Sequence, residues 1–315
     1  GTGSQNHSGF GSDGIVISGS GAEVDTVDGD ITLIGTAGAG SSPLGVLMSS
    51  DGTLGGASTT GTITIRSDDT IQMSDVIAIQ SSGALVIEPI TSSSDIGVGS
   101  GSTGDLVISS LELTDGFSGI TIGLATGTGD IDIETFAFTD NVTIQSYGVD
   151  GSIDIDGALS TTGSANLTLF AGEQFIVSST GSVTTVSGDI LIRGNDDGLG
   201  ARIDTFILGT GGININSGGL VTTTSGTITM TGRGDDGGDD RVGTVIAGTV
   251  SSTGTGGSIG AIDITGVATY DSSDGHDGLR VDSGTVSTVD GNIILTGTGG
   301  GGSGGSDGVS IDGTG

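Results

Sequence analysis

The chain has 315 residues, with 67 Gly, two Pro, no Cys, and a formal net charge of -32 from 38 acids against six arginines and no lysine. That balance excludes nucleic-acid binding, since no basic surface exists to neutralise phosphates, and it excludes a disulfide framework or a thiolate metal site. Collagen is excluded by the lack of a Gly-X-Y triplet, and disorder by a 32% hydrophobic content gathered into short Ile, Val and Leu alternations.

Along the chain, a pattern of three short β segments recurs four times. GIVISGSGAEVDTVDGDITLIG at 14–35 opens on the alternation of Ile15 and Ile17, continues through a Val-x-Thr step at Val24 to Thr26, and closes with Ile31 and Leu33. The pattern returns as QFIVSSTGSVTTVSGDILIRG (174–194), GGININSGGLVTTTSGTITMTG (211–232) and GLRVDSGTVSTVDGNIILTG (278–297). Weaker single segments run between these copies: TGTITIRS (60–67), GALVIEP (83–89), GDLVISS (104–110), SGITIG (118–123), GDIDIET (129–135), NVTIQS (141–146), GSIDIDG (151–157), ANLTLFAG (165–172) and GAIDITG (260–266). The period of two sets Ile31 and Leu33 on one side and Asp30 and Thr32 on the other. Segments this short, separated by Gly, Ser and Asp, suit the sides of a triangular coil and not the strands of a sandwich. The expected fold is all-β, a right-handed parallel β-helix (solenoid) with three short strands per turn.

At about 20 to 24 residues per turn the chain would make roughly 12 to 15 turns. Gly and Asp are expected at the corners, where sharp bends need positive φ. No helical periodicity or Pro-rich linker interrupts the pattern, so 1–315 reads as one continuous solenoid. The tail 296–315 resembles the head 1–21, with Ser306 to Val309 aligning on Ser12 to Ile15. The chain therefore reads as a segment of a longer array, or as a protomer that stacks head-to-tail on other copies of itself. No apolar run approaches the length of a membrane span, so membrane insertion is not expected.

The stretch GALVIEPITSSSDIGVGSGSTGDLVISSLELTDGFSGITIGLATGTGDIDIE (83–134) resembles the recurring segment of large bacterial haemagglutinin-like (filamentous haemagglutinin/adhesin-type) β-helical repeat proteins. Ile96 to Gly99, Glu112-Leu113 and Asp115 to Gly123 carry the likeness best. The resemblance implies an exported protein, extracellular or at the cell surface, with a β-helical stalk that serves adhesion or a sheath or biofilm matrix. The function expected is an extracellular structural protein forming a filament, stalk or matrix fibre by end-to-end stacking. The alternative is a surface adhesin that binds glycan or protein through acidic Gly/Asp loops. An enzyme is not expected.

Three such loops are candidate calcium sites, because clustered Asp with Gly supplies the several oxygens a hard cation takes. They hold Asp196 and Asp197; Asp235, Asp236, Asp239 and Asp240; and Asp271, Asp274 and Asp277. None matches the nonapeptide of calcium β-rolls or an EF-hand loop, so a solvated loop is the competing reading and no cofactor is required. Asp130, Asp132 and Glu134 lie opposite Ile131 and Ile133, and Asp154 and Asp156 are placed likewise. In β-helix carbohydrate-active enzymes, outward acids on adjacent turns form acid/base pairs. With 3% aromatic residues, no Trp and no Arg nearby in sequence, these acids read here as an outward polar face. Arg233-Gly234-Asp235 is an RGD tripeptide in an exposed-looking loop, which arises readily by chance in so much Gly and Asp. His7 and His276 are solitary and lack a nucleophile motif beside them. Phe117, Phe136, Phe138, Phe170, Phe175 and Phe206 are expected to fill the interior.

Overall fold

A computed structural model describes residues 12–39, 42–49, 51–73, 78–110, 116–198, 211–234, 241–256, 259–269, 276–301 and 305–313. Their apolar alternations form strands of two to six residues, with no helix among them, and the strands pair in parallel. The strands lie on three faces. The first is a 12-stranded sheet from Ile15–Ser18 to Val309–Asp312, and the third a 10-stranded sheet from Ile31–Ile34 to Ile293–Thr298. The second face carries a 3-stranded sheet from Glu23–Val24 to Ala78–Gln80, then a 6-stranded sheet from Phe136–Phe138 to Thr285–Thr288. A turn runs from first to second to third face, as in Ile153–Ile155, Ala158–Thr161 and Leu167–Ala171. This is a parallel β-helix, and each of the four three-segment copies in the sequence makes one such turn.

Stacking in register converts the period of two into columns. On the third face Ile144, Leu169, Ile192, Met230 and Ile264 stack directly upon one another, and all are fully buried. Each such side chain contributes about 1.5–3 kcal/mol on leaving water. The residues between them, Thr143, Thr168, Leu191, Thr229 and Asp263, form the outward column and are only half-buried.

The turns are longer and fewer than the sequence suggests. Successive turns are offset by as little as 22 residues and as much as 38, and the third face holds ten strands. Extra length falls in the connections from third to first face, as between Gly194 and Gly211. The corners also differ from expectation. Among the described residues, only Asp51 and Asp150 are aspartates with positive φ (64 and 72). Most corner Asp and Asn residues instead reach along the helix axis. Ahead of the third face, Asn141 Oδ1 accepts the N–H of Asn166, Asn166 Oδ1 that of Asp189, and Asp189 Oδ1 that of Thr227, at 2.7–2.8 Å. Glycine at the same corner answers to close approach. A Cβ on Gly188, Gly226, Gly260 or Gly291 would fall 1.8–2.2 Å from a carbonyl oxygen of the turn before, which no side chain tolerates.

The columns make a directional prediction. Ile144→Ala removes a fully buried member of the stack and is expected to destabilise the protein by about 2–5 kcal/mol. Thr143→Ala, one residue away and facing outward, is expected to stay within about 0.5 kcal/mol. Equal effects of the two in urea denaturation would contradict the assigned inward and outward faces.

Candidate functional site on the first face

Among the described residues the first face carries an inversion of strand order, and an acidic site grows from it. The strands Ile96–Val98 and Leu106–Ser110 follow each other in the chain, yet both lie on the first face and stack in reverse order. Leu106–Ser110 pairs with Ile71–Met73, and Ile96–Val98 is placed between it and Ile131–Ile133. The chain therefore doubles back through residues 99–105 across the outside of Ile96–Val98. Gly97 makes room for this strap, since a Cβ there would lie 2.7 Å from Ser102 Oγ and 2.8 Å from Thr103 O. Asp132 holds the strap down: its Oδ2 accepts the Thr103 N–H at 2.7 Å and the Thr103 hydroxyl at 3.0 Å.

The inversion gathers aspartates from four segments. Asp105, Asp95 and Asp130 each stand just ahead of a first-face strand and form a ladder. Asp105 Oδ2 accepts the Asp95 N–H at 3.3 Å, Asp95 Oδ1 the Asp130 N–H at 2.9 Å, and Asp130 Oδ1 the Ser152 N–H at 3.2 Å. One column further along, Asp132 stacks in register on Asp154. These five, with Asp156, Thr103 and Gly104, line an open cleft of about 460 Å³. No basic or aromatic side chain lines it. The Oδ1 atoms of Asp132 and Asp154 are buried without a hydrogen-bond partner.

The electrostatic result is specific. Burial, followed by the charges of Asp130, Asp156, Asp132 and Glu173, pushes the Asp154 carboxyl from 3.8 up to about 6. Asp130 is also raised, chiefly by burial and further by Asp95 and Asp150. Asp68, at another corner, shows the opposite outcome. Burial is the largest single influence and pushes it upward, but hydrogen bonds from Thr91, Ser94 and Ile90 together outweigh it and hold the group below its ordinary value. Donors decide the difference, and the buried Oδ1 of Asp154 has none.

The acids that the sequence singles out as outward, Asp130, Asp132, Glu134, Asp154 and Asp156, do face outward, and the helix brings two separate groups of them onto adjacent turns. Asp95 and Asp105 escape sequence reading. The available signal is the spacing: two apolar segments begin ten residues apart, half of an ordinary turn, with GVGSGSTGD between them.

The candidate calcium loops divide. Asp196 is buried; its Oδ1 accepts the Gly198 N–H at 2.6 Å and its Oδ2 accepts the Arg233 Nε–H at 2.7 Å. Asp197 is half-buried beside it, and the Oδ1 of buried Asp277 accepts the Asp307 N–H at 2.8 Å. Asp235, Asp236, Asp239, Asp240, Asp271 and Asp274 lie outside the described residues, as do His7, Phe206, Glu112, Leu113 and Asp115. Among the described residues, no group of three or more His, Asp or Glu side chains is placed to hold a metal ion. Arg233 is not in an exposed loop: it ends the strand Ile228–Arg233, and its ion pair with Asp196 leaves the side chain 15% exposed. His276 is buried, with Nδ1 accepting the Arg241 N–H at 3.4 Å. Phe117, Phe138 and Phe175 fill the interior, and Phe136 packs partly against it. Phe170 does not: it faces outward on the third face, stacked 5.2 Å from Tyr147 and beneath the Arg193 guanidinium at 5.1 Å.

No family model, curated protein or solved structure matches the chain.

Protonation of the cleft yields a testable dependence on pH. A carboxyl whose folded value is raised favours the fold in its protonated state. That contribution is complete below 3.8 and is lost as pH rises through about 6. Lowering the pH from about 7.5 to about 4.5 should therefore raise the melting temperature, and Asp154→Asn should stabilise the protein at neutral pH by about 1 kcal/mol after solvent screening, flattening that slope. A wild-type melting temperature that falls steadily over the interval, or an Asp154→Asn profile parallel to it, would refute this account of the cleft.

Proposed function

We propose that this chain is an extracellular structural element: a stiff, acidic β-helical rod that extends by adding turn upon turn, as a filament, stalk or matrix fibre. One observation carries the reading. Each strand is in register with the next and serves as its template: the first-face column Ile153, Phe175, Ile213, Thr244, Leu279 and Val309 runs through six successive turns. An inward-facing apolar row with an open backbone edge is a template for another parallel strand. A second copy that adds a turn to such a row is paired as the turns of the stack are paired with one another. The resemblance of 83–134 to haemagglutinin-like repeat proteins supports the same reading. That stretch supplies Ala84–Glu88, Ile96–Val98, Leu106–Ser110, Gly119–Leu124 and Ile131–Ile133, all strands of the stack.

The test uses the 315-residue chain. Rising concentration is expected to give end-to-end polymers, visible by electron microscopy, with a fibre repeat of about 4.8 Å along the axis. Ile311→Lys places a charge in the inward column of Val281 and is expected to shorten the polymers severalfold. A chain that sediments as a monomer at every concentration, with Ile311→Lys indistinguishable from wild type, would reject extension by end-to-end stacking.

A further inference from the structure

The six strands of the longer second-face sheet carry no charged residue. Its outward positions run in two columns along the axis. The first is Ala137, Ser160, Thr184, Thr222, Ser251 and Ser287, and the second is Ala158, Ser182, Leu220, Thr249 and Thr285. The segments of the five later strands, 157–163, 181–188, 218–227, 247–256 and 283–289, contain no ionisable residue, in a chain with 38 acids. Carboxylates stand at the rim, as Glu134 and Asp140 at the two ends of the first strand and as Asp156, Asp189, Asp282 and Asp290 beside the others. Exposed Val186 (48%) and Val289 (58%) flank the sheet on its third-face side. Beneath it, Thr161, Thr185, Thr223 and Thr288 point inward and give their hydroxyls to corner carbonyls, so the platform is braced from within.

We propose that this face is a lateral self-association surface, on which a second copy of the chain packs side by side through the same face. Charge selects the occupant. Two molecules of net charge -32 repel one another, and the other faces present carboxylates, such as Asp132 and Asp154 on the first and Glu88 and Asp263 on the third. Across all six strands of this face, two copies meet without burying like charges. The pairing is isologous, as a two-fold contact requires. Both surfaces share one repeat of about 4.8 Å, so small hydroxyl and methyl rows interdigitate in register over the whole patch. An uncharged centre with an acidic rim is also the usual anatomy of an interface.

The area sets the strength. Six strands at about 4.8 Å, each presenting about 13 Å of width, give roughly 400 Å² per copy. That is the range of weak, reversible contacts and falls below that of permanent dimers. A single pair is therefore expected to associate only at high concentration, and a longer rod to multiply the contact. This lateral pairing is independent of end-to-end growth, because it uses a face and not an edge.

The chain has no cysteine, which permits a direct test. Thr222→Cys, at the centre of the face, and Thr143→Cys, outward on the third face, are oxidised separately with copper–phenanthroline. Thr222→Cys is expected to form the disulfide-linked dimer at least ten-fold faster, and faster still when salt rises from about 10 mM to about 500 mM, because screening removes the long-range repulsion. In sedimentation, Thr184→Asp with Ser251→Asp is expected to abolish the salt-promoted dimer without changing the circular dichroism spectrum, whereas Ile311→Lys leaves it intact. Equal cross-linking from the two cysteine positions overturns the proposal. A monomer at all salt concentrations overturns it too, including one held by microcrystalline cellulose in a Thr222-dependent manner, which would assign the face to a polysaccharide lattice.

Discussion

The rest of the structure depends on the parallel backbone hydrogen bonds between turns, made in register. Each contributes only about 1 kcal/mol net, but the ladder fixes which residue stands over which. Once Ile131 pairs with Ile153, Asp132 must stand on Asp154 and Ile133 on Ile155. A column rewards like on like when the members are apolar and face inward. It does the same at corners, where an Asn or Asp side chain takes the next turn's N–H and only glycine fits beneath a neighbouring carbonyl. Outside, the same geometry imposes like on like where the members repel. Two carboxylates about 4.8 Å apart repel by roughly 1 kcal/mol in water and several at an effective dielectric of 20. The half-buried Asp132–Asp154 step lies between those limits, and proton uptake by Asp154 near pH 6 is the relief available to it.

The composition follows from this constraint. Gly reaches 67 residues because the turns approach so closely at their corners. Asp outnumbers other charged residues because its short side chain, set just ahead of a strand, reaches the N–H one turn above without a bend of its own. A longer Glu would overshoot, and Glu is correspondingly scarce. Excess negative charge also protects a protein whose open turn edges invite unwanted pairing. The uncharged second face departs from that protection, and the departure is what gives it meaning.

Much of the fold is legible in the sequence because the period of two survives wherever both inward positions are apolar. GDIDIET, GSIDIDG and NVTIQS each show Ile or Val at the inward columns, and each forms a strand there. The second face is harder to see. FAF at 136–138 and ALST at 158–161 carry polar or small residues at half of their positions, so only stacking beside Val183 and Val221 reveals them as strands. Turn count is likewise hidden, because chain added between third and first face leaves the columns untouched. Of the acidic cleft, Asp130, Asp132, Asp154 and Asp156 are readable as outward acids. Their partners Asp95 and Asp105 are not, because the sequence order of Ile96–Val98 and Leu106–Ser110 is the reverse of their order in the sheet.

That reversal gives the first face a strand that the third face lacks at the same level. The strap that crosses Gly97 is required by the insertion, and Asp132 is required to hold the strap. The acidic cleft is thus the outer surface of a stacking dislocation. Without the inserted strand, the column through Asp132 and Asp154 would stand apart from Asp95 and Asp105, so the charge density of the cleft is a product of the inversion and the register together.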